Sequence, residues 1–519
     1  MEQVRKWMVF EAVLACEGHP ENPLWGVTPQ VTFSGPDGSE TTVDAFWDGG
    51  NTWRVRFSPG QTGKWTWRAR QDPATQIAQG QFECLPYQGP NPLYRHGPLQ
   101  LSPNRLYLMH SDGTPFFWLA DTAWNGVLRS TLTDWQHYLH RRAEQAFTAV
   151  QFVSTEWRGC TKDPHGETAF EDAERIRLNP EFFRRMDAKV AAINDNGLVA
   201  APVILWAVSR SDVGQRLSED NAVRLARYIV ARWGAYNVLW FLGGDGHYEG
   251  EKAQRWRNIG RRVFGERHDR PVTMHPCGLS WVAEGFRDEA WYDLVGYQSG
   301  HGDGERDLRW LTSGPPATAW REQPPRPIIN LEPNYEGHPA YQSKQPHPPL
   351  HVRRAAYWSL LSAPTAAGVS YGTNPIWLWA EKVEDAEGHA NLPNIGPWHT
   401  GLEAPGIQQM TLMRELFGTL PWHQLAAAPN LLEAQPGADD PQAHTACAAT
   451  PDARCVVAYT PVGGVISLHT AELALPAAAT WLDPRSGQSR EAGRVQTPQQ
   501  EFVAPSNEDW VLVLRAVAK

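Results

Sequence analysis

The sequence has little cysteine and no paired cysteine motif. Its six cysteines (Cys16, Cys84, Cys160, Cys277, Cys447, Cys455) are scattered, and none belongs to a CxxC pair. That argues against a zinc knuckle and against a disulfide framework. Cys447 and Cys455 could pair across a hairpin, but free thiols are the simpler expectation. Runs of Lys and Arg are also missing, and the net charge is -10. A phosphate backbone therefore has no basic footprint to meet, and nucleic acid is not an expected partner. There is no apolar run of membrane-spanning length. The opening MEQVRKWMVFEAVLAC alternates like a strand, and Glu11 interrupts any signal-peptide core. The chain reads as cytoplasmic, or as secreted if a leader has been removed. No GxSxG elbow, no GxGxxG in a βαβ unit and no GxxxxGK[ST] occurs, so nucleotide cofactors have no support. No internal repeat is evident, and the oligomeric state stays open.

Aromatic and turn residues are abundant instead: 25 Trp and 42 Pro in 519 residues. Most tryptophans fit the packing of β-sandwich and barrel cores, while a few at a cleft could stack on flat ring faces. Residues 1–90 read as an all-β module. Short alternating runs (QVTFSG, TWRVRFSP, KWTWRAR) are separated by GPDG, DGGN and SPGQTG turns, the pattern of a β-sandwich. A Pro/Gly-rich joint follows. Residues 91–427 alternate strand and helix. Eight strand candidates (116–121, 148–155, 198–206, 238–245, 271–276, 294–299, 327–332, 367–372) predict a (β/α)8 TIM barrel. Five helical stretches lie between them; Thr133 and Ser218 read as caps, and Gly197 and Gly234 as stops. The segments 155–180, 299–326 and 373–400 are expected as active-site loops. Residues 428–519 return to short strands, a second small β-sandwich.

Two strand candidates end in a carboxylate. Val238–Leu242 meets Gly243, Gly244 and then Asp245; Pro327–Leu331 runs into Glu332. The glycine pair suggests a backbone leaving the sheet sharply. In an eight-stranded barrel, strands four and seven face each other across the mouth, so both carboxylates would flank a bound ligand. One protonated carboxyl and one ionised carboxylate are what glycosidic hydrolysis needs. Asp245 is assigned as acid/base and Glu332 as nucleophile. The alternative for each alone is a helix cap or an arginine pair. The rim also gathers Asp121, Trp124, Glu156, Trp157, Trp206, His247, His275, Gln298, His301, Tyr335, Tyr371 and Trp377 as candidate substrate contacts. Such a set suits a neutral polyhydroxylated ligand. Asp121 could instead brace the rim, Glu156 and Glu336 compete for a catalytic role, and each tryptophan could be core. A metal hydrolase of this architecture would show His-x-His after its first strand; Asp121-Thr122-Ala123-Trp124 stands there. His275 and His301 could reach one ion, but hydrogen bonds to sugar hydroxyls are preferred, and no metal or cofactor is expected.

The stretch HGPLQLSPNRLYLMHSDGTPFFWLADTAWNGV resembles the start of the apiosidase-like glycoside hydrolases. FLGGD, HPCG, QSGH, LEPNYEG and VRRAAYWSLL resemble later landmarks of that family, in the same order. The first module resembles the β-sandwich that precedes such barrels, and the last one the collagen-binding-type module that follows them. The resemblance implies a retaining pair at the GGD and EP positions, which are Asp245 and Glu332. Gly246-His247 stands where relatives are expected to carry an arginine. The expectation is a three-domain glycosidase acting on β-linked or furanosidic bonds of small oligosaccharides. The rival is a non-catalytic carbohydrate-binding protein on the same scaffold.

Overall fold

The computed structural model describes residues 2–15, 23–73, 75–266, 268–471, 473–495 and 497–517. Cys16 lies outside them; Cys84, Cys160, Cys277, Cys447 and Cys455 are free thiols. No helix among the described residues is long and apolar enough to cross a membrane.

The centre is a ring of eight parallel strands. They are β1 (Trp118–Thr122), β2 (Ala149–Val153), β3 (Val199–Trp206), β4 (Trp240–Gly246), β5 (Val272–Pro276), β6 (Val295–Gln298), β7 (Ile328–Glu332) and β8 (Gly368–Tyr371). Ladders join them in sequence order from β1 to β5, while β8 pairs with β1 and β7, and β7 with β6. Nearly every strand residue is buried, as parallel strands covered by helices must be. The ring closes between β5 and β6 by a thinner seam. Asp293 N–H donates to Val272 O at 3.0 Å, and the Thr273 hydroxyl donates to Leu294 O at 2.7 Å while accepting from Gly296 N–H at 3.1 Å. Gly296 permits that approach, since a Cβ there would lie 2.6 Å from Met274 O.

Eight helices follow the strands: α1 (Leu132–Glu144), α2 (Pro180–Asp195), α3 (Glu219–Trp233), α4 (Gly250–Phe264), α5 (Ala283–Phe286), α6 (Glu305–Ser313), α7 (Pro349–Leu361) and α8 (Pro405–Gly418). The cap of α1 is Thr131, not Thr133; its hydroxyl accepts from Asp134 N–H at 3.1 Å. Ser218 caps α3 in the same way. The segment 299–326, read as a loop, contains α6. Its apolar positions are too few and its flanks too rich in Gly and Pro for the helix to stand out in sequence. α8, unassigned in the sequence, completes the ring after β8.

The first module is a sandwich. A five-stranded sheet (Glu2–Arg5, Gln76–Leu85, Gly63–Arg70, Gln30–Ser34, Glu40–Asp44, in spatial order) faces a three-stranded one (Phe10–Ala15, Thr52–Phe57, Phe46–Trp47). Phe33 stacks on Phe57 at 4.2 Å and Phe10 on Phe82 at 4.1 Å between them. The last module sets a six-stranded sheet against a two-stranded one, with Trp481, Leu468 and Phe502 in a core of its own.

Candidate active site

Asp245 does not follow the sheet; it is lifted out of it. The register of β4 against β5 slips between Phe241 and Gly244 and again before Gly246. Asp245 sits on this bulge with φ +50°, a left-handed conformation uncommon for a side-chain-bearing residue. The sharp departure falls on Asp245 itself, not on the glycine pair. Gly244 is instead a packing residue: a Cβ there would lie 2.4 Å from Val203 and 2.7 Å from the Trp206 ring. The bulge is held from β5, where Cys277 N–H donates to Gly246 O at 3.0 Å and its thiol to Asp245 O at 3.1 Å.

The Asp245 carboxylate accepts from Gln298 Nε2 at 2.8 Å, and Arg158 Nη2 lies 3.7 Å from its other oxygen. Burial, and then the negative charge of Glu332, push this carboxyl up to about 6, against the pull of Gln298 and Arg158. Asp245, on strand four, thus lies within the field of Glu332, on strand seven.

Glu332 ends β7 and is buried. His301 Nδ1 accepts from Tyr335 N–H at 3.3 Å, so its proton is on Nε2, which donates to Glu332 Oε1 at 3.0 Å. His275 Nε2 lies 3.4 Å from Oε2. Burial raises the Glu332 carboxyl above its ordinary value; the Tyr335 hydroxyl beside it acts the other way. Burial lowers both imidazoles, His301 to about 3, so both are neutral. The two histidines approach the two oxygens of one carboxylate, and among the described residues no three His, Cys, Asp or Glu side chains are grouped to hold a metal.

Trp206 Nε1 and His275 Nδ1 are buried here without a hydrogen bond, while His275 Nε2 and the Tyr335 hydroxyl have Glu332 as their neighbour but no well-aligned hydrogen bond to it. Trp124 stands edge-on to His275 at 5.1 Å, and Trp206 lies at 6.2 Å from the same ring.

Other expected contacts go elsewhere. Asp121 is fully buried and accepts from Arg142 Nε at 2.5 Å, the Tyr138 hydroxyl at 2.8 Å and Thr122 N–H at 3.0 Å; it braces β1 against α1. Glu156 is taken by Arg216 at 2.5 Å and by Ala169 N–H at 3.1 Å. Tyr371 donates to Glu336 Oε2 at 2.5 Å, and Gly406 N–H donates to the same oxygen under α8. Asp121 and Glu156 have both oxygens bonded within the chain. His247 is exposed. Trp124, Trp157, Trp206 and Trp377 are 3%, 3%, 2% and 5% exposed. That leaves each only about 5–15 Å² of roughly 250 Å², too little for a sugar face. Trp157 and Trp206 pack at 4.5 Å, and Trp377 meets His389 edge-on at 4.9 Å. Sequence reasoning passed over Arg158 as a contact; its position just after Trp157 was the available signal.

A family model described as the apiosidase-like catalytic domain matches residues 102–424. A domain of unknown function matches 3–72, and a domain provisionally described as collagen-binding, of a collagenase, matches 437–515. No curated protein matches the sequence. A glycoside hydrolase structure is similar at 23% identity over 82% of this chain and 98% of its own, with TM-score 0.70. A glycoside hydrolase family 5 structure from Bacteroides vulgatus is 23% identical over 82% of this chain and 94% of its own, TM-score 0.72. A third structure, from the same organism and provisionally assigned as a glycoside hydrolase, spans 100% of both chains at 18% identity and TM-score 0.74. These likenesses carry the fold. The family model spans well over half of the sequence and covers the strands that bear both carboxylates, so the chain belongs to the apiosidase-like family of glycoside hydrolases.

Proposed function

We propose that Glu332 and Asp245 are the nucleophile and the acid/base of a retaining cleavage of β-linked or furanosidic bonds in small oligosaccharides. Glu332 attacks the anomeric carbon, and the bond to the leaving oxygen breaks as Asp245 gives that oxygen its proton. Water then displaces Glu332 from the glycosyl ester, and Asp245 takes the proton back. The observation that carries the reading is the asymmetry of the pair. Asp245 keeps its proton to about pH 6 and has one oxygen bonded by a neutral amide, leaving the other for the leaving group. Glu332 receives an N–H from His301, which orients its carboxyl group for attack. The Trp206 indole N–H and the His275 Nδ1, which make no hydrogen bond within the chain, suit sugar hydroxyls.

The test is a panel of aryl glycosides, furanosides included, with wild type, Glu332→Ala and Asp245→Ala. Glu332→Ala should be inactive. Asp245→Ala should be slow but recover on substrates with good leaving groups. Proton NMR of the first-formed sugar should show the anomer of the substrate. The opposite anomer makes the enzyme inverting, and sugar binding without release of any aryl group returns the chain to a binding protein.

A further inference from the structure

Asp245 stands on a bulge and has little of its own to orient it. Its φ is +50°, and among the described residues one hydrogen bond reaches its carboxyl, from Gln298 Nε2 to Oδ1 at 2.8 Å. Arg158 Nη2, at 3.7 Å from Oδ2, is too far to fix the group by a hydrogen bond. The direction of the acid therefore depends on how firmly Gln298 is itself held.

Gln298 is held from both neighbouring strands. It ends β6 and is 3% exposed. The ladder of β6 with β7 skips Leu331, which sets Gln298 directly opposite Glu332. From the end of β5, Leu279 N–H donates to Gln298 O at 2.9 Å, while the Cys277 thiol donates to Asp245 O at 3.1 Å. Gly278, between those two, leaves room for the amide: a Cβ there would lie 3.3 Å from Gln298 Oε1. The HPCG and QSGH segments of the sequence thus have a joint task. One short stretch after β5 grips the backbones of both the acid and the glutamine. Gln298 in turn reaches both carboxylates, Glu332 through its strand register and Asp245 through its side chain. A double displacement needs its two carboxyls at a set separation, about 5–5.5 Å. With Oδ1 taken as an acceptor, the proton of the neutral acid stands on Oδ2.

We infer that Gln298 is the positioning residue of the acid/base: it fixes the Asp245 carboxyl relative to Glu332 and turns the protonated oxygen, Oδ2, toward the leaving group. The inference rests on the catalytic reading of Asp245 and Glu332. A residue that acts through the acid matters most where the leaving oxygen needs its proton in the transition state, and least where the leaving group departs as an anion. A substrate contact, the role its place on the rim suggested, has no such dependence.

The experiment measures kcat and KM for wild type, Gln298→Met, Gly278→Ala and Asp245→Ala. The substrates are the 4-nitrophenyl, phenyl and methyl glycosides of the sugar found by the panel. Methionine keeps the length of glutamine and removes the donor. Gln298→Met should stay within about threefold of wild type on the 4-nitrophenyl glycoside and lose about 10²-fold on the methyl glycoside, in kcat with KM little changed. Its alkaline limb should move upward, because the N–H that favours ionised Asp245 is gone. Gly278→Ala, at an exposed position, crowds the same amide. It should show the same trend more weakly at its parent's melting temperature, and it carries the test if Gln298→Met does not fold. A uniform loss on all three glycosides, a rise in KM alone, or a downward limb overturns the positioning role. Asp245→Ala separates the inference from the reading beneath it. If that variant responds steeply to the leaving group while the other two do not, the inference alone falls. If Asp245→Ala is itself indifferent to the leaving group, the acid/base reading falls and takes the inference with it.

Discussion

Two regions of this protein bury acids, and they treat them oppositely. At the joint of the first module with the barrel, Asp187 is bonded by Arg56 and Arg232, each at 2.7 Å, and by Trp233 Nε1 at 2.7 Å. Asp48 takes Arg232 at 2.9 Å and Arg54 at 2.7 Å. Burial pulls both carboxyls up, but the guanidiniums outweigh it and hold both below the usual range. At the mouth, Glu332 and Asp245 face neutral imidazoles and an amide, with one arginine at 3.7 Å, and both are raised. An acid enclosed by cations is fixed as a charge and serves structure. An acid facing neutral donors keeps its proton in play.

The sharpest way to break this contrast is to swap the readouts. Glu332→Gln should lower kcat by about 10³-fold or more with no loss of thermal stability, because no buried cation is stranded. Asp187→Ala should do the reverse. It leaves two buried guanidiniums one partner short, Arg56 keeping Glu11 and Arg232 keeping Asp48, costs about 3 kcal/mol in a denaturant melt, and leaves kcat of the folded fraction near wild type. If Asp187→Ala melts like its parent, the joint is not held by this network.

Asp245 tests the contrast by pH. The folded chain holds this proton more tightly than the unfolded one, whose carboxyl titrates near 3.8. Its protonated form therefore favours folding below that value, and the benefit is lost as pH rises through about 6. Asp245→Asn should be more stable than wild type at pH 7 by about 2–3 kcal/mol, and equal to it near pH 3. In the wild type, kcat/KM should fall as pH rises above about 6, since the acid must be protonated. The smallest effect belongs to Arg158→Met. Arg158 favours the ionised form of Asp245, so its removal should move that alkaline limb upward by about half a pH unit, a modest step for a partly exposed charge. A downward shift would contradict the geometry.

Much of the barrel was legible because buried parallel strands are written as continuous apolar runs. TAVQFVST and LVAAPVILW admit little else, and the same grammar exposes the carboxylates that end β4 and β7. The partners of the other acids were not legible. Asp121 meets Arg142 21 residues on, Glu156 meets Arg216 across 60, and no local pattern encodes either pairing. Gly243-Gly244 misled because glycine serves two needs, turning and close packing, and sequence does not separate them.

The uncharged state of His275 and His301 has a consequence for inhibition. With neither imidazole carrying charge, the charge around the site comes from Asp245, Glu332, Asp212 and Arg158. Above about pH 6 the sum is negative, and a sugar mimic with a protonated ring nitrogen meets net attraction there. Its affinity should strengthen with rising pH until its own amine deprotonates, while that of a neutral lactone of the same shape should not, so the difference between the two reads the charge of the cavity directly.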